Sequence, residues 1–269
     1  MNLEINGKVA LLAASSKGLG YGCAEALIRE GAHVIINGRR PDEIARSAQQ
    51  LRKLSTAGGE VHTIVGDMTV HEEIARMVKA AVARFGKIDI VVTNSGGPPA
   101  GKFVDQGEDD WQSAVNSTLW PVVRLIRCSL PYLLEAKERG GGRIINIVST
   151  SVKQPIPGLL FSNALRPAVI GLAKTLSQEL AEDGILVNNV CPGSFDTARI
   201  AHLYETRAQS SGLSFDEVKT KALESIPLAR LGNPEELGSL VAFLASSRAS
   251  YITGQTICID GGLTNTLFG

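Results

Sequence analysis

Short apolar runs alternate with longer amphipathic stretches almost to the end of the chain. Seven of the short runs are rich in Val and Ile and read as β-strands: KVALLA (8–13), HVIIN (33–37), VHTIVG (61–66), IDIVVT (88–93), RIINIV (143–148), ILVNNV (185–190) and QTICID (255–260). Their apolar residues are consecutive rather than alternate, which suits strands covered on both faces of a parallel sheet. Helical patterns lie between them, among them LGYGCAEALIREG (19–31), PDEIARSAQQLRKL (41–54), VHEEIARMVKAAVARFG (70–86) and AVIGLAKTLSQELAEDG (168–184). Several end in glycine, the residue that most readily closes a helix. Repeated βα units with right-handed crossovers predict a doubly wound α/β domain, an about seven-stranded parallel sheet with helices on both faces. No linker, repeat or low-complexity tract divides the chain, so 1–269 reads as one domain. The least regular long segment, 194–230, reads as an insertion placed to cover a ligand crevice.

Charge and cysteine usage narrow the partners. The 27 basic and 27 acidic side chains cancel, which removes the electrostatic case for nucleic acid or an anionic membrane surface. The N-terminal MNLEINGKVALLAA has no basic flank and too short an apolar run for a signal peptide. No apolar run approaches the roughly 20 residues needed to span a bilayer. Cys23, Cys128, Cys191 and Cys258 are far apart and read as reduced thiols of a cytoplasmic protein. His33, His62, His71 and His202 form no ligand-spaced pair, so no metal site is expected.

The first strand runs into AASSKGLGYG (13–22), which opens the first helix. Gly18 and Gly20 there let a backbone approach a pyrophosphate held by the helix's N-terminal amides, the arrangement of a Rossmann-type dinucleotide site. Further motifs are GDMT (66–69), TNSGG (93–97), PGSFDT (192–197) and the ending PLARLGNPEEL…FLAS…YITGQTICIDGG. Together these resemble the short-chain dehydrogenase/reductase superfamily, most of all its β-ketoacyl carrier-protein reductase branch, over essentially the whole chain. The resemblance implies a single Rossmann-type domain and a nicotinamide dinucleotide. It places the cofactor on Ser15, Ser16, Lys17, Gly18, Leu19 and Gly20, on Asp67 and Met68 beside the adenine, on Asn94, Ser95 and Gly96, and on Pro192, Gly193 and Thr197. It also implies a homodimer or homotetramer. Ala13 and Ala14 stand where the family has Thr-Gly, and Ala14, carrying a Cβ, is expected at negative φ.

The end of the second strand separates NAD(H) from NADP(H). An acid there would bind the ribose 2′-hydroxyl and repel a 2′-phosphate. NGRR (37–40) offers no carboxylate before Asp42. Arg39 and Lys17, with the Ser15 and Ser16 hydroxyls, can reach such a phosphate through charge-assisted bonds, which favours NADP(H). The bland alternative is that Arg39 and Arg40 form a solvated helix entrance.

The family's catalytic Asn, Ser, Tyr and Lys fall on Asn116 in VNSTLW, Ser149 in RIINIVSTS, Ser162 and Arg166. The last two, in FSNALRPA (161–168), replace the tyrosine and lysine. A serine hydroxyl is a far weaker acid than a phenol, and arginine holds its proton. Losing a general acid costs roughly 10²–10⁴ in rate. Lys153, four residues past Ser149, is a candidate substitute donor, or an exposed loop lysine. Arg166 either recognises a carboxylate or phosphate on a small-molecule substrate or holds the nicotinamide ribose, in which case it too is a cofactor residue. Tyr204 offers a phenol from the insertion, or simply packing. Pro167 leaves two geometries open. A helix starting near Ala164 would separate Ser162 from Arg166, and one running through Ser162 would stack them. The expected function is an NADP(H)-dependent oxidoreductase on a carbonyl or alcohol with an atypical proton-delivery group. The alternatives are a dinucleotide-binding protein without turnover and non-redox chemistry in the same pocket.

Overall fold

The computed structural model describes residues 2–267. Among them, seven strands form one sheet in the order β3-β2-β1-β4-β5-β6-β7. They are β1 (Val9–Leu12), β2 (His33–Gly38), β3 (Val61–Val65), β4 (Ile90–Thr93), β5 (Arg143–Ile147), β6 (Leu186–Pro192) and β7 (Thr256–Ile259). Every pairing is parallel. The fold is thus the single-domain, Rossmann-like arrangement that the strand pattern predicts, and among the described residues no helix is long and apolar enough to cross a membrane.

Both faces of the sheet are covered, which is why the strands read as continuous apolar runs. Ala10, Leu12, Val34, Ile36, Ile90 and Val92 turn toward α1 (Gly18–Arg29), α2 (Pro41–Leu54) and α9 (Pro234–Ala245). Their neighbours Val9, Leu11, Ile35 and Val91 turn toward α3 (His71–Phe85), α5 (Trp120–Leu134) and α6 (Leu160–Glu179). Because β1 pairs with β2 on one side and β4 on the other, the chain reverses its winding there. The carboxyl ends of β1 and β4 open a crevice, the place where such sheets bind ligands.

Helix α6 settles the geometry that Pro167 leaves open. It begins at Leu160, eight residues before the amphipathic run at 168 suggests, and passes through Pro167 in its interior. Pro167 withdraws one backbone donor, yet the helix continues because tertiary contacts hold its first two turns. Asn163 exchanges two hydrogen bonds with the backbone of Ile156, at 3.0 and 2.9 Å. Arg166 donates to the carbonyl of Val148 at 2.8 Å. Ser162 and Arg166 are therefore stacked one turn apart.

The 194–230 segment folds as α7 (Ala198–Ser211) and α8 (Phe215–Glu224), and α4 (Glu108–Thr118) precedes α5. The closest helix packing is between α1 and α9. A Cβ on Gly238 would run into the Gly22 carbonyl, and one on Gly22 into that of Pro234. In an exposed helix, replacing glycine by alanine stabilises by about 0.5–1 kcal/mol. Here overpacking should win, so Gly238→Ala is expected to lower stability by about 1–3 kcal/mol, read as a reduced Tm.

Candidate functional site

A cavity of about 1520 Å³ runs along the carboxyl ends of the strands, from the glycine turn to the start of α7. Its wall includes Ser16, Lys17, Gly18, Leu19, Arg39, Asp67, Met68, Asn94, Ser95 and Gly96. Further along it includes Ser149, Ser162, Arg166, Pro192, Gly193 and Thr197. Residues distant in sequence thus meet because their strands end side by side. Asn116 and Lys153 lie outside this lining. Asn116 accepts a 3.4 Å hydrogen bond from Gln112, and the next residue, Ser117, reaches the wall instead. Lys153 caps the 3-10 turn Thr150–Val152, and its charge acts on the thiols of Cys191 and Cys258. Among the described residues no group of three His, Cys, Asp or Glu side chains is placed to hold a metal.

The glycine turn is built around Asn37, which is fully buried at the end of β2. Its amide nitrogen donates to the carbonyls of Ile64 and Gly66, tying β2 to β3. Its side-chain oxygen accepts from the Ala14 N–H at 3.2 Å, and its backbone carbonyl accepts from the Ser15 N–H at 2.8 Å. Asn94 reaches across from β4 and donates to the Ala14 carbonyl at 3.0 Å. Clamped on both sides, Ala14 adopts φ +44°, not the negative φ expected for a residue with a Cβ. Left-handed backbone costs about 1–2 kcal/mol, and the buried hydrogen bonds offset it. The turn therefore keeps the shape that a glycine would give it.

A pyrophosphate fits the turn. Lys17 caps α1 without a side-chain hydrogen bond to the first amides, so those donors point free into the crevice. A Cβ on Gly20 would stand 2.6 Å from the Ala14 carbonyl oxygen and 2.8 Å from the Ser15 Cα, so the tight turn requires glycine there. Ser15 has another part than the one its sequence position suggests. It is buried, donates to the Leu12 carbonyl at 2.8 Å and accepts from the Asn37 N–H at 2.9 Å, so its hydroxyl is unavailable to a phosphate.

At the adenosine end the structure adds a residue that the sequence pattern did not mark, Glu43. Although it lies five residues past the end of β2, the first turn of α2 brings it back onto the cavity wall. It accepts from the Ser16 hydroxyl at 3.0 Å, sits 3.6 Å from the Lys17 ammonium and pairs with Arg40. Arg39 stands 3.9 Å from Asp67, whose other oxygen accepts from Thr69. Three cations thus surround two carboxylates. Lys17, Arg39 and Arg40 are largely exposed, so these pairs hold them only weakly.

At the other end, Ser149 accepts from the Ser151 N–H at 3.1 Å, and the Ser151 and Ser162 hydroxyls are 3.0 Å apart. Arg166 is buried. Its Nη1 donates to the carbonyls of Val148 and, at 3.4 Å, Ile147, while its Nε has no partner among the described residues. Burial is the main cause that brings its pKa from 12.5 to about 10, with the Arg199 charge lowering it further. It remains a cation at neutral pH. Tyr204 of α7 is buried against Phe215, ring centroids 6.2 Å apart, and burial raises its pKa, which makes it a weaker acid.

The two serines of the turn divide the labour, and substitution separates them. Ser15→Ala should destabilise the fold by about 1–3 kcal/mol, because the Leu12 carbonyl and Asn37 N–H lose a buried partner. Dinucleotide affinity, measured by titration of the folded variant, should stay within about twofold of the native value if Ser15 only shapes the turn.

The family model described as enoyl-(acyl carrier protein) reductase matches residues 13–264. Dehydrogenase/reductase SDR family member 4 of Oryctolagus cuniculus is 34% identical over 263 residues, 97% of this chain and 95% of that protein. The 3-oxoacyl-[acyl-carrier-protein] reductase FabG of Thermotoga maritima is 33% identical over 264 residues, 97% of this chain and 99% of that one. Among solved structures, L-sorbose reductase from Gluconobacter frateurii, complexed with NADPH and L-sorbose, superimposes with a TM-score of 0.91 at 30% identity, covering 99% of this chain and 100% of that one. An actinorhodin polyketide ketoreductase with NADPH gives 0.89 at 31% identity, covering 97% and 98%. With the parallel sheet, the glycine turn and the crevice in place, these matches show that the chain belongs to the short-chain dehydrogenase/reductase superfamily, in its ketoreductase-like branch.

Proposed function

We propose that the protein reduces a carbonyl compound with NADPH and stabilises the developing alkoxide electrostatically rather than through a tyrosine acid. The observation that carries this is Arg166, a buried group that is cationic at neutral pH, on the same cavity wall as Ser149 and Ser162. Bound in the crevice, the nicotinamide would supply a hydride to the carbonyl carbon. As the C=O π bond breaks, the oxygen gains negative charge beside the guanidinium and the serine hydroxyls. A preorganised donor of this kind contributes about 10²–10³ in rate, comparable with what a general acid provides. The alkoxide then takes its proton through the Ser162 and Ser151 hydroxyls, which exchange it with water. That two structurally similar relatives were solved with NADPH supports the cofactor.

NADP(H) is preferred over NAD(H) in this reading because Lys17, Arg39 and Arg40 outnumber Glu43 and Asp67 at the adenosine end. A dianionic 2′-phosphate recruits exposed cations that their present partners hold loosely. Lys17→Ala and Arg39→Ala should each weaken NADPH binding about tenfold and leave NADH within about twofold, as read by cofactor fluorescence. Glu43→Gln should tighten NADPH, since it frees Lys17 and Arg40. Equal losses for both cofactors would count against the assignment.

Turnover is tested by following NADPH oxidation over a panel of aldehydes and ketones. Arg166→Met should lower kcat by about 10²–10³ with a much smaller change in NADPH affinity. Because the guanidinium deprotonates at about 10, the rate should be level through neutral pH and fall as pH rises through about 10. The sign follows from the cation being the active form. NADPH binding without oxidation of any carbonyl would instead indicate a dinucleotide-binding protein that does not turn over.

A further inference from the structure

Besides Arg207 farther along α7, two guanidinium groups whose charges act on each other line the substrate end of the cavity, Arg166 from α6 and Arg199 from the first turn of α7. Among the described residues neither is in an ion pair. Their bonds go to neutral carbonyls only: Arg166 to Val148 and Ile147, and Arg199 to Gly97 at 3.2 Å and Pro98 at 3.5 Å. The acid nearest Arg199 in the chain, Asp196, lines the same cavity and is exposed, and it is in ion-pair contact with neither. Two like charges on one wall repel each other, and although Arg199 is exposed, burial of Arg166 has removed much of the water that would screen its charge. An anion bound between them would relieve both costs.

The seat for Arg199 is built into the sequence. A Cβ on Gly97 would collide with its guanidinium, so the second glycine of TNSGG leaves the room that this side chain occupies. The cofactor's phosphates have places elsewhere, at the start of α1 and beside Lys17 and Arg39. The lining of the same cavity also includes the apolar side chains of Pro155, Ile156, Pro157, Leu159 and Leu203. A planar guanidinium matches the two oxygens of a carboxylate, and these apolar side chains suit a short hydrocarbon body. We propose that Arg199 and Arg166 together bind a carboxylate on the substrate, so that the preferred substrates are oxo acids rather than neutral ketones. The inference deepens the carbonyl-reduction reading and rests on it for the reaction, though not for the binding.

The test pairs 2-oxopentanoate with its methyl ester, equal in carbon skeleton but different in charge. Calorimetric titration into the complex with NADP⁺ reads binding without reduction, and NADPH oxidation reads kcat/KM. The acid is expected to bind and react about tenfold better than the ester. In Arg199→Ala, and in Gly97→Ala, which displaces the arginine without removing its charge, that ratio should fall to within about twofold, with NADPH affinity unchanged. Equal binding of acid and ester by the native protein would overturn the proposal. So would an Arg199→Ala variant that loses NADPH affinity as strongly as acid affinity, because the anion would then be the cofactor's own phosphate. Selective binding of the acid with no reduction of any carbonyl would uphold the carboxylate seat while removing the reductase reading. Reduction of ketones without charge preference would do the reverse.

Discussion

The shape of the cofactor crevice depends on one buried amide. Asn37 sits at the end of β2, where every polar atom must find a partner because no water reaches it. It finds them in the backbone of two neighbouring segments: the turn after β1, and the end of β3 with the residue that follows it. That network holds Ala14 in a left-handed conformation, which in turn points the first amides of α1 into the cavity. The strained residue is thus maintained by the satisfaction of a buried polar group, a local cost covered by a larger surrounding gain. Ser15 belongs to the same network, and its buried hydroxyl explains why only Ser16 of the two turn serines reaches the cavity wall.

At the opposite end of the crevice the governing choice is charge rather than acidity. Ser162 and Arg166 present a hydroxyl and a guanidinium that keeps its charge across the neutral range. A fixed cation can lower the energy of an oxyanion but cannot hand over a proton at pH 7. Arg199 adds a second positive charge to the same wall, from a helix that belongs to the irregular segment before the final helix and strand. One wall is thus carried by different elements: Ser149 follows β5, Ser162 and Arg166 come from α6, and Arg199 comes from α7.

Much of this was legible along the chain. Consecutive Val and Ile in seven short runs require burial on both faces, and helices between them leave few topologies. The spacing of Gly18 and Gly20 after the first strand marked the tight turn into α1, where the close approach at Gly20 tolerates no side chain. What stayed hidden depends on contacts between segments far apart in sequence. Glu43 lies past the positions where a ribose acid is sought and returns to the cavity only through the first turn of α2. Arg199 has no periodic or motif signature, and its place is visible only once Gly97 lies against it.

The sequence by itself determined the sheet, its winding and the position of the crevice, since hydrophobic periodicity and glycine spacing act locally and leave a direct trace in residue order. Tertiary structure alone decided which polar side chains share that crevice. It carried α6 through Pro167 by hydrogen bonds from Asn163 and Arg166, and so stacked Ser162 on Arg166. It turned Ser15 and Asn37 inward, and it set Arg166 and Arg199 on one wall bonded only to neutral carbonyls. Local preference at Pro167 points away from a continuous helix, and buried hydrogen bonds worth about a kcal/mol or more each were enough to override it.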